Sequence, residues 1–494
     1  MLSEILPQAA IFQQGSDIEV TGISLDSREV SPGDLFVAKT GRQDCGSSYI
    51  EEALTKGARA ILTDDSSAAS NRNEVPLAYM PNLDKELSAI AGTFFGSPSG
   101  QMSVTGITGT NGKTSCCFWY AWLSNQLGTP CGQIGTLGAG YRSNADQNLA
   151  VTGMTTPEAV RVQSILADVK EAGASAAVME VSSHGLDQGR VEAVNFESAI
   201  FTNLTQDHLD YHGDMDSYFA AKAALFAREE LQRVVLNRDD AAFDPLVALL
   251  RSDTQLYSYS LSRSDADLFV ESLRWTEQGA ELALDGRWGK LEAQVPIVGD
   301  YNVANILAVM TALLAAGFDA QKIVDAAGGL PFVPGRMQLV HRSHCPPVVV
   351  DYAHTPDAVL NVLRALRVQV KGKLIAVLGC GGDRDPGKRS LMARSAAENA
   401  DTCWFTSDNP RFEDPQSILA DMLVGMDTED VLVVEKREFA IQQAIEYAGD
   451  EDLVVVLGKG HETYQEIAGK RLPFSDVAHC EEVLDRISAG VAEQ

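Results

Sequence analysis

A glycine-rich segment that ends in a lysine and a threonine is the clearest chemical feature of this sequence. Residues 102–107 form an apolar run typical of a buried strand and lead into Thr108-Gly-Thr-Asn-Gly-Lys-Thr-Ser115, which a helical stretch follows. A strand, a glycine turn and a helix in this order can wrap backbone N–H groups around phosphates and direct the helix N-terminus at them. Lys113 would then reach the β- and γ-phosphates of a nucleotide, and Thr114 would hold Mg²⁺.

The spacing of this segment departs from the common phosphate-loop pattern. That pattern has a glycine five positions before Gly112, where this chain has Ile107, although Gly106 and Gly109 lie on either side. The simpler alternative is an ordinary glycine turn with an exposed lysine.

Further polar residues follow predicted strands or share a helix face. Glu180 and His208 lie at strand ends, where open α/β sheets bind ligands; the alternatives are a solvated acid and a structural histidine. Lys222 lies on an alanine-rich helix, and nothing in the local sequence distinguishes it from a solvated lysine. Asn302 and Asn305 are three residues apart and so share one helix face, where helix capping is the alternative role.

A fourth segment, Asp408-Asn-Pro-Arg411, follows the apolar run 402–406 and is predicted to be a loop at a strand end. The planar guanidinium of Arg411 can grip a carboxylate with two parallel hydrogen bonds, and Asp408 can meet an ammonium group. Asp, Asn and Pro also favour turns, so an ordinary turn is the alternative.

The elements that must position these residues alternate between strands and helices, which predicts an α/β fold with three domains. A Ser/Pro/Gly stretch at 96–100 and a Pro-rich stretch at 331–335 are candidate boundaries. We predict a small N-terminal α/β domain over residues 1–98 and a central, mostly parallel sheet of the P-loop type with helices over residues 99–332. A C-terminal, Rossmann-like open sheet follows over residues 333–494, and residues 267–297 read as an antiparallel insertion or edge.

Bulk composition sets broader limits. A chain of 494 residues is too long for one core, and its 45% hydrophobic and 22% charged residues are those of a soluble globular protein. The net charge of −29 argues against nucleic acid or an anionic membrane as a partner. We expect a cytoplasmic protein, since we find no membrane-length apolar run and no secretory signal, and we expect its eight scattered cysteines to be reduced and mostly buried.

The phosphate segment resembles that of the Mur ligase family, to which the folylpolyglutamate synthases are related. Further matches occur in order along essentially the whole chain. They are Thr155-Thr-Pro157, Met179-Glu-Val-Ser-Ser-His-Gly185, Phe201-Thr-Asn-Leu-Thr-Gln-Asp-His-Leu-Asp-Tyr-His-Gly-Asp214, Ala220-Ala-Lys222, Asn237 with Asp239 and Asp240, Asn302 with Asn305, Pro334-Gly-Arg336, Asp351-Tyr-Ala-His-Thr-Pro-Asp357, Gly379-Cys-Gly-Gly-Asp-Arg-Asp385, Asp408-Asn-Pro-Arg411 and Gly458-Lys-Gly-His-Glu462.

The resemblance implies an ATP-dependent amide ligase of peptidoglycan synthesis. Its members phosphorylate a carboxylate with ATP and let an amine attack the acyl phosphate, which releases ADP and phosphate. The donor implied here is UDP-N-acetylmuramoyl-L-alanyl-D-glutamate and the acceptor is meso-2,6-diaminopimelate. The Asp-Asn-Pro-Arg tetrad resembles that of diaminopimelate-adding members, whereas lysine-adding members lack the arginine. We also expect the protein to be a monomer.

The resemblance also implies roles for individual residues. The catalytic residues would be Lys113, Glu180, His208 and Lys222. Mg²⁺ would be held by Thr114, Glu180, His208 and Lys222, the last as N6-carboxylysine. ATP would be bound by Gly109, Thr110, Asn111, Gly112, Lys113, Thr114, Ser115, Asn302, Arg336 and Asp351.

The two other substrates have their own implied residues. The UDP substrate would contact Leu25, Ser27, Arg42, Gln43 and Asp44 in the first domain, and Thr155, Thr156, Ser182, Gln188 and Arg190 in the second. Family members often carry histidine where this chain has Arg42, so the detail of that contact is open. Diaminopimelate would contact Arg384, Asp408, Asn409, Pro410, Arg411, Gly458 and Glu462.

Two alternatives remain at the level of the sequence. A ligase of the same superfamily could add lysine or a D-alanyl-D-alanine dipeptide, or add glutamate to folate. A regulator from a different class could keep the nucleotide-binding fold without the chemistry, although Lys113, Glu180, Lys222 and Arg411 occur together in this chain.

Overall fold

The computed structural model describes residues 1–7, 10–12, 18–41, 45–68, 75–141, 149–276, 278–368, 370–426 and 431–492. Within these ranges the chain forms three successive α/β units, each built on its own sheet, together with a two-stranded hairpin in the last unit. The predicted three-domain α/β class is therefore confirmed, while the boundaries after residues 98 and 332 stay predictions.

The first unit is a five-stranded sheet in the order β1-β5-β4-β3-β2, in which β1 is antiparallel to β5 and the other pairs are parallel. Its helix α3 packs on helix α5 of the second unit, where Ala159 and Val160 join the apolar cluster of Leu83 and Leu87. The elements are α1 (Leu2–Ile5), β1 (Ile11–Phe12), β2 (Gly22–Ser24), β3 (Asp34–Ala38), α2 (Ile50–Thr55), β4 (Ala60–Thr63), β5 (Leu77–Tyr79) and α3 (Leu83–Phe94), with a short 3-10 helix at Gly46–Tyr49.

The second unit is a ten-stranded sheet in the order β15-β14-β13-β12-β11-β10-β6-β9-β7-β8. A 3-10 helix at Pro98–Gln101 precedes it, and the elements are β6 (Ser103–Thr108), α4 (Lys113–Gln126), β7 (Cys131–Gly135), β8 (Gly138–Gly140), α5 (Ala159–Glu171), β9 (Ala176–Glu180), α6 (Ser183–Asp187), β10 (Ser198–Phe201), α7 (Leu209–His212), α8 (Met215–Ala223), β11 (Arg233–Asn237), α9 (Phe243–Val247), β12 (Gln255–Ser260), β13 (Leu268–Thr276), β14 (Gly279–Gly286), β15 (Leu291–Val295), α10 (Asp300–Ala315) and α11 (Ala320–Ala327).

Most neighbouring strands of this second sheet are parallel, and apolar clusters cover both of its faces. Helices α4 and α10 bury residues such as Leu123 and Ile306 on one face, and α5 buries Val162 and Leu166 on the other. Strands β13, β14 and β15 pair antiparallel at one edge, as predicted for residues 267–297. The parallel strands β6, β9 and β10 place their carboxyl ends side by side at the sheet centre.

The third unit is a six-stranded sheet in the order β16-β17-β21-β18-β19-β20, parallel except for the β16–β17 pair. Helices α12–α14 cover one face, and α15 and α16 cover the other. The elements are β16 (Gln338–Val340), β17 (Val348–Asp351), α12 (Pro356–Arg367), β18 (Leu374–Cys380), α13 (Gly387–Asn399), β19 (Thr402–Ser407), α14 (Pro415–Met422), β20 (Val431–Val433), α15 (Arg437–Tyr447), β21 (Leu453–Leu457), the hairpin β22 (Tyr464–Ile467) and β23 (Lys470–Pro473), and α16 (Asp476–Ala492).

Two expectations from composition can be compared with the fold. All eight cysteines are reduced thiols, seven of them buried and Cys45 partly so, as expected. Among the described residues, no helix combines the length and apolar character needed to cross a membrane.

A fully buried ion pair joins the helices on one face of the third sheet. The guanidinium of Arg437, the first residue of α15, donates from Nε and Nη2 to the two carboxylate oxygens of Asp476, the first residue of α16, at 2.7 Å each. Nη2 also donates to the carbonyl oxygen of Leu457 at the end of β21, at 2.9 Å. Both charged side chains are 0% exposed, so each depends on the other for compensation.

We expect Asp476→Ala to destabilise the protein by about 3 to 5 kcal/mol, because it leaves a guanidinium buried without a counter-charge. Urea unfolding followed by circular dichroism would measure the shift. The matched control is Glu446→Ala, since Glu446 pairs with Arg486 across the same two helices at 3.2 Å but in exposed positions. The control should change stability little; equal shifts for the two variants would contradict the assignment.

Candidate active site

The phosphate segment lies between β6 and α4 in a conformation that demands glycine at two positions. Gly109 and Gly112 have φ angles of 146° and 89°, in the region that favours glycine. A Cβ at Gly109 would collide with the hydroxyl of Thr202, and one at Gly112 would collide with the amide oxygen of Asn305. The absence of side chains at these positions thus lets neighbouring segments pack closely against the loop.

Lys113 is held over the same loop. Its Nζ donates to the carbonyl oxygens of Gly109 and Thr110, both at 2.9 Å. Burial lowers the pKa of Lys113, while the carboxylates of Glu180 and Asp207 oppose that shift. The alternative of a plain turn with an exposed lysine therefore does not describe this segment.

The segment after β10 holds the loop from the other side. The hydroxyl of Thr202 donates to the carbonyl oxygen of Asn111 at 2.6 Å, and Asn111 N–H donates to the side chain of Asn203 at 2.9 Å. Thr110 donates through its hydroxyl to the carbonyl oxygen of Thr205 at 3.0 Å. Ser115 is buried in the first turn of α4.

Glu180, the last residue of β9, directs its carboxylate at the start of α4. One oxygen accepts from the Thr114 hydroxyl at 2.9 Å, and the other accepts from the Thr136 N–H at 2.7 Å. The residue is only 1% exposed, which excludes the alternative of a solvated acid. Burial raises the pKa of Glu180.

Lys222 is also buried, at 1% exposure, although it lies on the alanine-rich helix α8. Its Nζ donates to the carbonyl oxygen of Gly109 at 2.8 Å and lies 4.5 Å from the ring centroid of Tyr218. Burial, aided by the nearby charge of Lys113, lowers the pKa of Lys222 far below its usual value. The solvated-lysine alternative is thereby excluded.

His208 directly precedes α7 as its N-cap residue and has a left-handed φ of 55°. Its Nε2 lies 3.3 Å from Oδ2 of Asp207, and its ring centroid lies 4.8 Å from that of His184. Burial lowers the pKa of His208 to about 3, so the imidazole is neutral at physiological pH.

Three contacts bring the third unit onto this cleft. Nζ of Lys388 lies 3.2 Å from Oδ1 of Asp207, with side chains that are 12% and 4% exposed. Nη2 of Arg336 donates to the Thr114 hydroxyl at 3.3 Å, and Asn111 donates to Asp357 at 3.3 Å. Burial would raise the pKa of Asp207, but the ammonium group of Lys388 and the hydrogen bond from the His208 backbone N–H outweigh it and hold that pKa below its ordinary range.

The remaining predicted ATP residues lie around Arg336. Its guanidinium lies 4.3 Å from the ring centroid of Tyr352. Asp351 accepts from the N–H groups of Met337 and Ala353 at 2.7 and 2.8 Å, and burial raises its pKa. Asn302 donates to the carbonyl oxygen of Val298 at 2.9 Å, so its side chain supports the start of α10 in this state.

The predicted residues for the UDP substrate fall into two groups. In the second unit they meet beside the end of β9. Thr156 donates to the carbonyl oxygen of Glu180 and accepts from Ser182 N–H, both at 2.9 Å. Arg190 donates to the Thr156 carbonyl oxygen at 2.7 Å and to Gln188 at 2.6 Å, while the hydroxyl of Thr155 lies 3.1 Å from that of Thr136.

The described residues of the first-unit group make their own local contacts. Ser27 donates to Glu52 at 2.7 Å, and Leu25 packs against the apolar core of its own unit. Arg42, Gln43 and Asp44 lie outside the described residues.

The predicted acceptor residues converge at the carboxyl ends of β18, β19 and β21. Arg411 has a left-handed φ of 53°, and its N–H and carbonyl oxygen bond to Glu466 and Ala468 of the β22–β23 hairpin at 3.0 and 2.6 Å. Its Nη1 donates to the carbonyl oxygen of Gly382 at 2.6 Å, and its Nε lies 3.8 Å from a carboxylate oxygen of Glu466.

The other members of this group surround the same loop. Asn409 donates to Glu462 at 2.8 Å. Gly458 has φ 115° and faces the Asp408 carboxylate so closely that a Cβ would lie 2.6 Å from it. Arg384 is exposed on the loop beside Gly381, where Nη1 of Arg411 also lies, and Pro410 is buried against Gly382.

Several residues of the cleft were not singled out from the sequence. Thr136 bonds to Glu180, Asp207 pairs with His208, and Lys388 in turn pairs with Asp207. Lys459 and Glu466 bond to predicted residues in the acceptor loop. Asp207 and Lys459 lie inside the quoted motifs, so their position was a usable signal. Lys388 and Thr136 carry no comparable local pattern.

Comparison with known proteins shows the family to which the chain belongs. Three family models match: the Mur ligase family catalytic domain over residues 19–89, the Mur ligase middle domain over 107–313, and the Mur ligase glutamate ligase domain over 335–460. Relatives named UDP-N-acetylmuramoyl-L-alanyl-D-glutamate--2,6-diaminopimelate ligase include those of Ectopseudomonas mendocina and Pseudomonas aeruginosa. Each is 44% identical over 98% of both chains.

Solved structures give the same picture of the fold. A structure titled as a ligase of that same name is 37% identical, with a TM-score of 0.66 over 95% of both chains. MurF from Acinetobacter baumannii, at 17% identity, has a TM-score of 0.69 over 99% of this chain and 98% of its own. The fold and the cleft thus define a three-domain, nucleotide-binding α/β ligase. The chain belongs to the Mur ligase family.

We expect Lys388→Met to loosen the contact between the second and third units, because it leaves the buried carboxylate of Asp207 without its ammonium partner. Breaking a buried pair costs about 3 kcal/mol or more, enough to shift the population of domain arrangements. Small-angle X-ray scattering should show a larger radius of gyration, whereas exposed Lys371→Met should not change it. An unchanged radius for Lys388→Met would show that this pair does not hold the two units together.

Proposed function

We propose that this chain joins meso-2,6-diaminopimelate to the D-glutamate of UDP-N-acetylmuramoyl-L-alanyl-D-glutamate, with ATP as the energy source. The reaction releases ADP and phosphate and yields the UDP-muramoyl tripeptide used in peptidoglycan synthesis. The full-length identity of 44% to ligases of that name supports the whole assignment. The observation that carries the choice of acceptor is Arg411, held in a loop with two acidic side chains.

Phosphorylation of a carboxylate by ATP brings several anions together, so the cleft must supply cations and oriented N–H donors. Lys113 and the N–H groups of residues 109–115 can bind the nucleotide phosphates, with Arg336 approaching from the third unit. Asn302 and Asp351 are proposed to bind the nucleoside. Attack by the diaminopimelate amine on the acyl phosphate then forms the amide bond, and phosphate leaves.

Thr114 at the start of α4, Glu180 and His208 have the side-chain atoms that a divalent cation can bind. Glu180 and Thr114 present hard oxygen atoms to each other, and the neutral imidazole of His208 is in the protonation state that a metal ligand needs. We propose Mg²⁺ as the metal, which would offset phosphate charge when bound. Structures of distant relatives in this fold carry ADP in one case, and a non-hydrolysable ATP analogue with Mn in another.

Lys222 is proposed to act as N6-carboxylysine. Its buried amine, with a strongly lowered pKa, is nucleophilic at neutral pH. Addition of this neutral amine to CO2 forms an N–C bond and releases one proton, so a neutral group beside Lys113 becomes an anion. That change would place a negative charge next to the Lys113 ammonium and provide an oxygen ligand for the metal.

The acceptor pocket suits a diacid. The far end of diaminopimelate carries a carboxylate as well as an ammonium group, whereas lysine has the ammonium alone. Arg411 can bind that carboxylate in a bidentate manner, and Asp408 or Glu462 can bind the ammonium. Arg384, Asn409, Pro410 and Gly458 would complete the pocket.

The UDP substrate is proposed to extend from the first unit to the end of β9. Leu25, Ser27 and residues 42–44 would bind its nucleotide end, and Thr155, Thr156, Ser182, Gln188 and Arg190 its sugar and peptide end. This path leads the D-glutamate carboxylate towards Glu180 and Lys222. We further propose that the enzyme acts in the cytoplasm as a monomer.

The function is tested by phosphate release from ATP with the UDP-dipeptide and a panel of acceptors. We expect turnover with meso-diaminopimelate at a kcat/KM at least about 100-fold above that for L-lysine, because an unmatched buried arginine penalises lysine. D-alanyl-D-alanine should not support turnover, nor should glutamate with a folate donor. In Arg411→Ala the KM for diaminopimelate should rise at least about tenfold.

The matched control for that variant is Arg394→Ala, an exposed arginine in α13 of the same unit. Equal use of lysine and diaminopimelate by the unaltered enzyme would refute the proposed acceptor. ATP binding without acceptor-dependent phosphate release would instead favour a regulatory protein.

We expect Lys222→Ala to lose about 100-fold in activity, on the scale of one preorganised charge in an active site. Added formate or acetate should restore part of that activity, because a small carboxylate can occupy the place of the carbamate. Lys113→Ala serves as the control, since it lacks a cation and should not respond to these anions. The carbamate is ruled out if neither acid helps Lys222→Ala, or if both variants recover equally.

A further inference from the structure

Lys459 places an ammonium group inside the acceptor loop. This lysine was not among the site residues inferred from the sequence. Its side chain is 0% exposed. Nζ donates to Oδ1 of Asn409 at 2.9 Å and to Oε2 of Glu462 at 2.7 Å, and it lies 4.0 Å from Oδ1 of Asp408. Three residues of the proposed diaminopimelate pocket therefore surround one buried cation.

The backbone is shaped to put this side chain inside. Lys459 follows β21 and lies between Gly458 and Gly460, which have φ angles of 115° and 52°. A Cβ at Gly460 would lie 2.6 Å from the carbonyl oxygen of Gly335 and 2.7 Å from Cβ of Tyr352. The two glycines thus turn the chain sharply on either side of the lysine.

Lys459, Asn409 and Glu462 form a closed triangle of hydrogen bonds. The Asn409 amide donates from Nδ2 to Glu462 and accepts at Oδ1 from both Lys459 and the Glu466 N–H. The ammonium and the Glu466 N–H therefore together fix which end of the amide faces Glu462. Without the ammonium, the amide would keep one of the two bonds that orient it, and Glu462 would lose one of its two side-chain donors.

The net charge of this triangle affects which acceptor the pocket binds. Asp408 and Glu462 bring two negative charges to the pocket, and Lys459 offsets one of them. Glu466 lies 3.8 Å from Nε of Arg411, and the exposed Arg384 on the same loop brings a further positive charge, so these two charges also offset each other. One carboxylate then remains for the ligand's ammonium, while Arg411 remains for its carboxylate. Removal of the Lys459 charge would make the pocket more negative, which favours an acceptor ending in an ammonium alone and disfavours one that also carries a carboxylate.

We propose that Lys459 is a positioning residue that sets acceptor specificity through Asn409 and Glu462. It keeps the net charge of the pocket suited to an acceptor whose far end carries both an ammonium and a carboxylate. The pocket therefore favours a diamino diacid over a diamino monoacid. This inference rests on the proposed function, and it adds a residue with no direct contact to the substrate.

The test compares Lys459→Met with the unaltered enzyme and with exposed Lys470→Met from β23. In Lys459→Met we expect the KM for meso-diaminopimelate to rise at least about tenfold, with the KM values for ATP and the UDP substrate unchanged. The ratio of kcat/KM for diaminopimelate to that for L-lysine should fall at least about tenfold. Lys459→Arg should keep most of the ratio, and Lys470→Met all of it.

A second variant tests the same inference without leaving Glu462 unpaired, in case Lys459→Met does not fold. In Lys459→Met/Glu462→Gln both charges of the pair are absent, so the pocket again has one acid and Arg411. We expect the acceptor ratio to return towards that of the unaltered enzyme, which a merely structural role would not produce. An unchanged ratio in Lys459→Met refutes the inference; if that variant does not fold, an acceptor ratio in the double variant that differs from the unaltered enzyme by tenfold or more refutes it.

The proposed function fails in a different way. If the unaltered enzyme releases no phosphate with diaminopimelate, the reaction itself is wrong. If it does so, and Lys459→Met loses both acceptors equally, the reaction stands and the role of Lys459 in specificity is overturned.

Discussion

Two lysine side chains meet on one backbone oxygen, and much of the cleft follows from this arrangement. Nζ of Lys113 and Nζ of Lys222 both donate to the carbonyl of Gly109, at 2.9 and 2.8 Å. Burial lowers the pKa of each, and the charge of Lys113 lowers the pKa of Lys222 further. The carboxylates of Glu180 and Asp207 both favour the charged form of Lys113. Among the principal charge partners of Lys222, Asp207 alone favours its charged form. The site therefore keeps its positive charge on Lys113 and leaves Lys222 as the group most easily converted to a neutral or negative form.

Buried carboxylates and the cations that compensate them belong to different domains. Glu180 and Asp207 belong to the second unit, and two cations that approach them, Arg336 and Lys388, belong to the third. Contact between the units therefore compensates buried carboxylates, besides enclosing the space in which phosphates would bind. An acyl phosphate formed there would be shielded from water while the acceptor amine approaches from the third sheet. Charge compensation and protection of the intermediate thus depend on the same interdomain contacts.

Local patterns were enough to predict the class of fold and several parts of the cleft. The strand–glycine loop–helix segment at Lys113 and the strand ends at Glu180 and Arg411 are short-range features, and the structure places each of them after or at the carboxyl end of a strand. Burial was harder to predict, because the sequence of α8 gives no sign that Lys222 faces the loop rather than solvent. Asp207 and Lys388 are 181 residues apart, so only the packing of two domains brings them together. For Asn302 the sequence left two roles open, nucleotide binding and helix capping. The structure shows its side chain bonded to the Val298 carbonyl oxygen at the start of α10.

Acceptor recognition depends on a backbone conformation as much as on the identity of its side chains. Arg411 adopts a left-handed φ of 53°, which costs free energy for a residue with a Cβ. Two backbone hydrogen bonds from the β22–β23 hairpin offset that cost, and Gln465 adds a bond at 2.6 Å to the carbonyl oxygen of Asp408. The hairpin and the glycine turn at Lys459 therefore fix the loop from opposite sides, before any acceptor is bound. A loop preorganised in this way loses little conformational entropy on binding, so its charges can discriminate between acceptors that differ by one carboxylate.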